Sequence, residues 1–282
     1  MKKTDYKLKS VTSGNIIGFL HENDGGEPHP AIIIFPGGGY RYLTPHEGEP
    51  VAAAFFAKGY NAFVCNYPIS GEAVYPAPQL AAFEAIAYVR DNADKFHVIE
   101  NNVAVAGFSA GAHVAACTGV LYHDSEIIGR LGVQPAHIRP DAMILIYPCI
   151  GVDIEGYSGG ISKSNVLRCD ELVDDSTPPT FLVTSFGDKF VCCNQSLNMA
   201  RALSDNNVPF ELHCFEPGDH GFLNNNNRIL DEYTTRYIGF ESWFSLCTDW
   251  LRDRWNPHVG FGKNISADGR IIEDYFELRL MG

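Results

Sequence analysis

Three residue types that together perform acyl transfer occur in this chain at places where they could meet: Ser109, Asp188 and His220. A serine hydroxyl is a poor nucleophile until an imidazole takes its proton, and the imidazole needs a carboxylate to fix its tautomer and orientation. Ser109 lies in Gly107-Phe108-Ser109-Ala110-Gly111, a G-x-S-x-G pattern. In that pattern a sharp strand-to-helix turn lifts the serine hydroxyl clear of the sheet, and the positions two before and two after must be tiny. The same turn places the backbone N–H of Ala110 beside the hydroxyl, at a helix N-terminus that favours negative charge. Asp188 and His220 each follow an apolar run, and they are separated by 32 residues.

The elements around these residues carry the argument further. Asn102 to Phe108 reads as a strand and Ala110 to Leu121 as a helix, which is the context the serine pattern demands. Ala31 to Phe35 is a continuous apolar run of the kind buried on both faces of a parallel sheet, and it stops at Pro36-Gly37-Gly38-Gly39-Tyr40. Val51 to Lys58, ended by Gly59, and Gln79 to Asn92 read as helices on either side of a strand at Asn61 to Tyr67. Further strands are expected at Asp141 to Tyr147, Thr180 to Ser185 and Val208 to Phe215, and helices at Asn194 to Ser204 and Ile238 to Arg254. The last helix would turn Trp243, Phe244, Leu246, Trp250 and Leu251 inward. Asn15 to Leu20 is expected as an edge strand before a turn at Asp24-Gly25-Gly26. This alternation predicts an α/β fold with a mostly parallel central sheet and helices on both faces. Ser109, Asp188 and His220 would then all emerge at the carboxyl edge, where such sheets place their ligand sites.

Composition bounds the setting. The 282 residues are 45% hydrophobic and 20% charged, ordinary for a globular chain, and are expected to form one domain over 1–282. The net charge of −13 speaks against nucleic acid or an anionic membrane as partner. No apolar run is long enough to span a bilayer, and Met1-Lys2-Lys3 is not followed by the apolar core of a secretory signal, so the expected compartment is the cytoplasm. Cys65, Cys117, Cys149, Cys214 and Cys247 fall in expected strands and helices and read as buried thiols; the adjacent Cys192 and Cys193 read as two ordinary thiols. The ten histidines show no zinc-binding spacing, so no metal or other cofactor is expected. His113, one helical turn beyond Ser109, reads as a packed helix residue, and Asp219 as a loop carboxylate pointing away from the His220 ring. Residues 151–179 lack a period and read as a lid-like excursion; the apolar stretch Tyr275 to Leu280 has no evident place. Oligomeric state is left open.

The glycine loop at 36–40, the pentapeptide around Ser109, Pro178-Pro179-Thr180-Phe181-Leu182-Val183 leading to Asp188, and Val208 to His213 leading to Asp219-His220-Gly221-Phe222 together resemble the α/β-hydrolase esterase and lipase family. Within it they are similar to the bacterial acetyl xylan esterase and feruloyl-esterase-like branch, over roughly residues 30 to 250. The resemblance implies Ser109 as nucleophile, His220 as base, Asp188 as its partner, and the amides of Gly38, Gly39 and Ala110 as the oxyanion hole. It implies hydrolysis of short-chain acyl esters, with acetylated plant polysaccharide or oligosaccharide as substrate. Pro36 departs from relatives that carry a histidine there, and only 35 residues precede the glycine loop, too few for a large N-terminal cap. A small serine peptidase or an arylformamidase-like amidase would use the same residues, and a hydrolase-fold binding protein is the non-enzymatic alternative.

Overall fold

Apolar runs buried on both faces pair side by side into one sheet, and the chain between them crosses over as helices. The computed structural model describes residues 1–23, 25–151, 167–221, 238–255, 264–265 and 271–272. In chain order the elements are β1 (Lys2–Lys7), β2 (Asn15–Leu20), β3 (His29–Phe35), α1 (Glu49–Ala57), β4 (Asn61–Asn66), α2 (Ala77–Asp91), the short α3 (Ala93–Phe96), β5 (Val98–Phe108) and α4 (Ala110–Val120). There follow α5 (Ser125–Leu131), α6 (Pro135–Ile138), β6 (Ala142–Ile146), β7 (Thr180–Ser185), α7 (Asn194–Asp205), β8 (Phe210–Phe215), α8 (Ile238–Trp255), and the two-residue strands β9 (Asn264–Ile265) and β10 (Ile271–Ile272).

The main sheet has eight strands in the order β1-β2-β4-β3-β5-β6-β7-β8. β1 and β2 run antiparallel, and every pairing from β4 to β8 is parallel. Alternate residues of the central strands feed two cores. Ile33, Phe35, Val105, Leu145 and Leu182 meet Leu80, Phe83 and Ile86 of α2, Val114 of α4 and Leu203 of α7. On the other face Ile32, Ile34, Ala106, Ile144 and Val183 meet Phe55 of α1 and Trp243, Cys247 and Leu251 of α8. Phe244, Leu246 and Trp250 pack partly buried against that second core, as the periodicity of α8 predicts.

Chain order places the site. From β3 the chain steps outward to β4 and then returns to the other side of β3 as β5. Open α/β sheets place their ligand sites at the carboxyl ends of the strands flanking such a reversal. The glycine loop leaves β3 there, and Ser109 leaves β5.

Two expectations are corrected. Asn15–Leu20 is not an edge strand, because Lys2–Lys7 pairs along its full length with Tyr6 opposite Ile16. β1 is charged and mostly exposed, so it carries no apolar pattern by which a sequence reader would find it. Cys214 is exposed rather than buried, because it lies on β8, the last strand of the sheet, among residues that are at most partly covered. Of the expected lid at 151–179, residues 152–166 lie outside the described residues, as does the tail stretch at 275–280.

Candidate active site

Ser109 occupies a backbone conformation that L-residues seldom adopt, φ 53° and ψ −117°, between β5 and α4. Close packing on both sides of this turn leaves no room for a side chain at Gly107 or Gly111. A Cβ on Gly107 would lie 2.2 Å from the Gly111 carbonyl oxygen, and one on Gly111 would lie 2.1 Å from the Phe35 carbonyl oxygen. The Ser109 amide donates to Ile146 O at 3.0 Å, and its carbonyl accepts from Ala112 and Cys149 at 3.1 and 3.2 Å. The turn at Ser109 is thus tied to β3, β6 and α4 at once.

The structure brings Ser109, His220 and Asp188 together. His220 Nε2 lies 2.8 Å from Ser109 Oγ, and His220 Nδ1 lies 2.7 Å from Asp188 Oδ2. The other Asp188 oxygen accepts the amides of Phe190 and Val191, each at 2.8 Å, and the side chain is fully buried. Three hydrogen bonds to one carboxylate hold it in a single orientation toward the imidazole. Ser185 Oγ donates to Gly218 O at 2.8 Å, so the loop carrying the acid is fastened to the loop carrying the histidine. Tyr147 meets the His220 ring edge-on with centroids 5.0 Å apart, and Phe190 stacks near it at 5.9 Å.

The surroundings keep other acids neutral. Burial, then the negative charges of Glu47 and Asp188, hold the Tyr147 phenol well above its usual range. Burial first, then the Asp188 charge, push the Cys149 thiol up to about 12, against a hydrogen bond from Ser109 that lowers it. Cys149 is therefore a neutral neighbour of the serine and not a competing thiolate.

The amides of Gly38, Gly39 and Ala110 form no hydrogen bond to any described residue. Gly38 reaches this conformation at φ 122°, while its carbonyl accepts from the Arg41 and Tyr42 amides at 3.0 and 3.3 Å. Gly37 is different: its N–H is taken by Glu47 Oε2 at 2.8 Å. Three residues that support this loop escaped sequence reading. Glu47 is buried and also accepts from Tyr147 O–H at 2.6 Å, and Tyr67 O–H donates to Pro36 O at 2.6 Å. Nothing in Pro45-His46-Glu47-Gly48 distinguishes a buried acid from a surface one.

His113 is buried, with Nδ1 at 2.6 Å from Tyr40 Oη and Nε2 at 2.8 Å from Leu167 O, so both ring nitrogens are engaged away from Ser109. Asp219 is exposed, and the carboxyl that meets His220 is Asp188. Cys192 is exposed and Cys193 buried, both as free thiols. Sequence spacing offered no metal site, yet His113, Cys117 and Cys169 come within 4.8 Å of one another, Cys169 being brought from 52 residues away. Cys117 Sγ is 3.8 and 3.9 Å from the two ring nitrogens and 3.6 Å from Cys169 Sγ. Each His113 ring nitrogen already has a partner, so an ion held by this cluster would displace Tyr40 Oη from Nδ1 or Leu167 O from Nε2.

Comparison with known proteins follows the same lines. Residues 19–147 match the family model described as BD-FAE, and residues 154–246 match that of the prolyl oligopeptidase family. The acetylxylan esterase of Xylanibacter ruminicola is 27% identical over 277 residues, covering 90% of this chain and 50% of that protein. The crystal structure of an acetyl ester-xyloside bifunctional hydrolase from Caldicellulosiruptor lactoaceticus is 29% identical with a TM-score of 0.74, covering 89% of this chain and 96% of that one. That of MGS-M1, an α/β hydrolase enzyme from a Medee basin deep-sea metagenome library, is 31% identical with a TM-score of 0.73, covering 90% and 97%. The chain spans half or less of the length of the curated relatives it matches.

Proposed function

The chain belongs to the α/β-hydrolase family, and from that premise we propose that it is a serine carboxylesterase acting on short-chain acyl esters, chiefly acetyl esters, of plant polysaccharides or oligosaccharides. The observation that carries the reading is the unbroken hydrogen-bonded series Ser109 Oγ, His220, Asp188.

In the proposed reaction His220 Nε2 takes the Ser109 proton as Oγ attacks the ester carbonyl. The oxygen that becomes negative is held by the amides of Gly38, Gly39 and Ala110, and Asp188 steadies the imidazolium through Nδ1. His220 then gives its proton to the departing alcohol oxygen, leaving an acyl-serine. A water deprotonated by the same ring attacks that ester, the acid leaves, and Ser109 recovers its proton. Two named relatives, an acetylxylan esterase and an acetyl ester-xyloside hydrolase, support acetyl as the acyl group and a sugar as the alcohol.

The reaction needs no cofactor, and we place it in the cytoplasm because all eight cysteines are unpaired thiols. Among the described residues no helix is long and apolar enough to cross a membrane. The test is hydrolysis of a p-nitrophenyl ester series from acetate to decanoate beside an aminoacyl-anilide, followed by acetylated xylan. Turnover greatest for acetate and lost in Ser109→Ala is expected; turnover of the anilide alone would replace this reading with a peptidase or amidase.

A further inference from the structure

Glu47 is an acidic side chain only 3% exposed, and no step of the reaction above uses it. Each of its carboxyl oxygens accepts one hydrogen bond, Oε2 from Gly37 N–H at 2.8 Å and Oε1 from Tyr147 O–H at 2.6 Å. The first bond completes a clamp. The Pro36 carbonyl and the Gly37 amide belong to one planar peptide unit, and its other pole accepts from Tyr67 O–H at 2.6 Å. Holding C=O and N–H from opposite sides fixes the plane from which the Gly38 and Gly39 peptides continue. That plane is pressed against the nucleophile, since a Cβ on Gly37 would lie 2.8 Å from Glu47 Oε2 and 3.1 Å from Ser109 Cβ.

The second bond reaches the base. Tyr147 stands at the end of β6 with φ 35°, a conformation that bulky residues rarely adopt. Its amide donates to Val183 O at 2.6 Å and its hydroxyl to Glu47, and between these anchors its ring meets the edge of the His220 imidazole at 5.0 Å and 66°. A buried acceptor left without its donors, or donors left without their acceptor, is costly, so this arrangement resists reorientation.

We propose that Glu47 is a positioning residue for the ester hydrolysis: through the Pro36–Gly37 peptide it aims the Gly38 and Gly39 amides at the oxyanion, and through Tyr147 it holds the His220 ring. The proposal rests on the reading of Ser109 as nucleophile. It also supplies what Pro36 cannot, since a proline at that position has no side-chain donor or acceptor with which to brace the loop.

Glu47→Gln tests it. The amide keeps the shape but turns an NH2 group toward one of two donors, so one contact is lost. With p-nitrophenyl acetate, kcat is expected to fall at least about tenfold while KM moves less than about twofold. Inhibition by an arylboronic acid, whose tetrahedral adduct on a serine presents an oxygen to the same amides, is expected to weaken by a similar factor. Tyr67→Phe and Tyr147→Phe each remove one anchoring hydroxyl and leave the aromatic ring; each is expected to lower kcat by less than Glu47→Gln does. They decide the matter where the Gln variant does not fold. Wild-type kcat and boronate affinity in Glu47→Gln, or in both Phe variants, would overturn the proposal while leaving the esterase reading in place. A kcat loss without weaker boronate inhibition would overturn it too, as the mark of a role in folding alone. Wild-type protein showing no Ser109-dependent turnover in the same assay would overturn the esterase reading, and this proposal with it.

Discussion

Ser109 Oγ and His220 Nε2 are 111 residues apart in the chain and 2.8 Å apart in space, because β5 and β8 deliver their following loops to the same edge of one sheet. The imidazole is held from behind by Asp188 and flanked by the rings of Tyr147 and Phe190, so its approach to the serine is preorganised rather than left to a mobile loop.

Removing the hydroxyl should therefore abolish chemistry and spare structure. Ser109→Ala is expected to lower kcat on p-nitrophenyl acetate by roughly 10³-fold or more, with an unchanged thermal midpoint. Steady-state rates and a melting curve on the same preparation check both halves.

The Asp188 carboxyl accepts from the Phe190 and Val191 amides as well as meeting His220. Asp188→Asn presents one oxygen and one NH2, so it cannot satisfy both amides and also accept from Nδ1. The wrong histidine tautomer then faces Ser109, and kcat is expected to fall by roughly 10³- to 10⁴-fold with little change in KM. Saturation kinetics of the variant give the split.

Two glycine-to-alanine changes should move stability in opposite directions. In Gly111→Ala the new Cβ would sit 2.1 Å from Phe35 O, backbone against backbone, and the elbow must distort; insoluble protein or a lower thermal midpoint is expected. Gly129 lies exposed in α5 with nothing within 4 Å of a built Cβ, so Gly129→Ala is expected to stabilise by about 0.5–1 kcal/mol through helix propensity. Chemical denaturation of both variants decides.

Cysteine reactivity should follow burial. Iodoacetamide at mildly alkaline pH is expected to label Cys192 and Cys214, both exposed, and to spare Cys149, whose thiol is pushed up to about 12 mainly by burial. Peptide mapping after brief labelling reads this directly, and early alkylation of Cys149 would contradict it.

The same shift carries a pH dependence of stability. Cys149 holds its proton more tightly folded than unfolded, so its contribution is fully present below the ordinary thiol value of 9.0 and is lost as pH rises toward about 12. The Tyr6 phenol, raised from 10.0 to about 12 by burial and then by Glu84, acts in the same direction from a slightly higher pH. Unfolding midpoints are expected to fall between pH 9 and 11, with a shallower fall in Cys149→Ala than in wild type.

Much of the architecture was open to reading from the chain alone. Ala31 to Phe35, Asp141 to Tyr147 and Thr180 to Ser185 are apolar without alternation, and a segment with no polar face has to be covered on both sides. β1 escaped because its residues are solvated and its place is set by the main-chain ladder it forms with β2, which leaves no apolar trace. Cys214 misled for the converse reason: a residue type that is usually buried lies on the sheet's last strand.

Sequence by itself determined the residue types that can do acyl transfer, the tight turn around Ser109 and the strand ends from which Asp188 and His220 depart, since these follow from local sterics and from the period of apolar residues. Only the tertiary structure decided which acceptor occupies each donor. Glu47 is an unremarked acid in the chain and a buried brace in the fold; His113 and Cys117 stand one helical turn apart, yet Cys169 reaches them only through the path of the chain. Hydrogen bonds across the sheet edge join residues whose separation in sequence has no bearing on their distance, and their partners are chosen by packing, which no local pattern encodes.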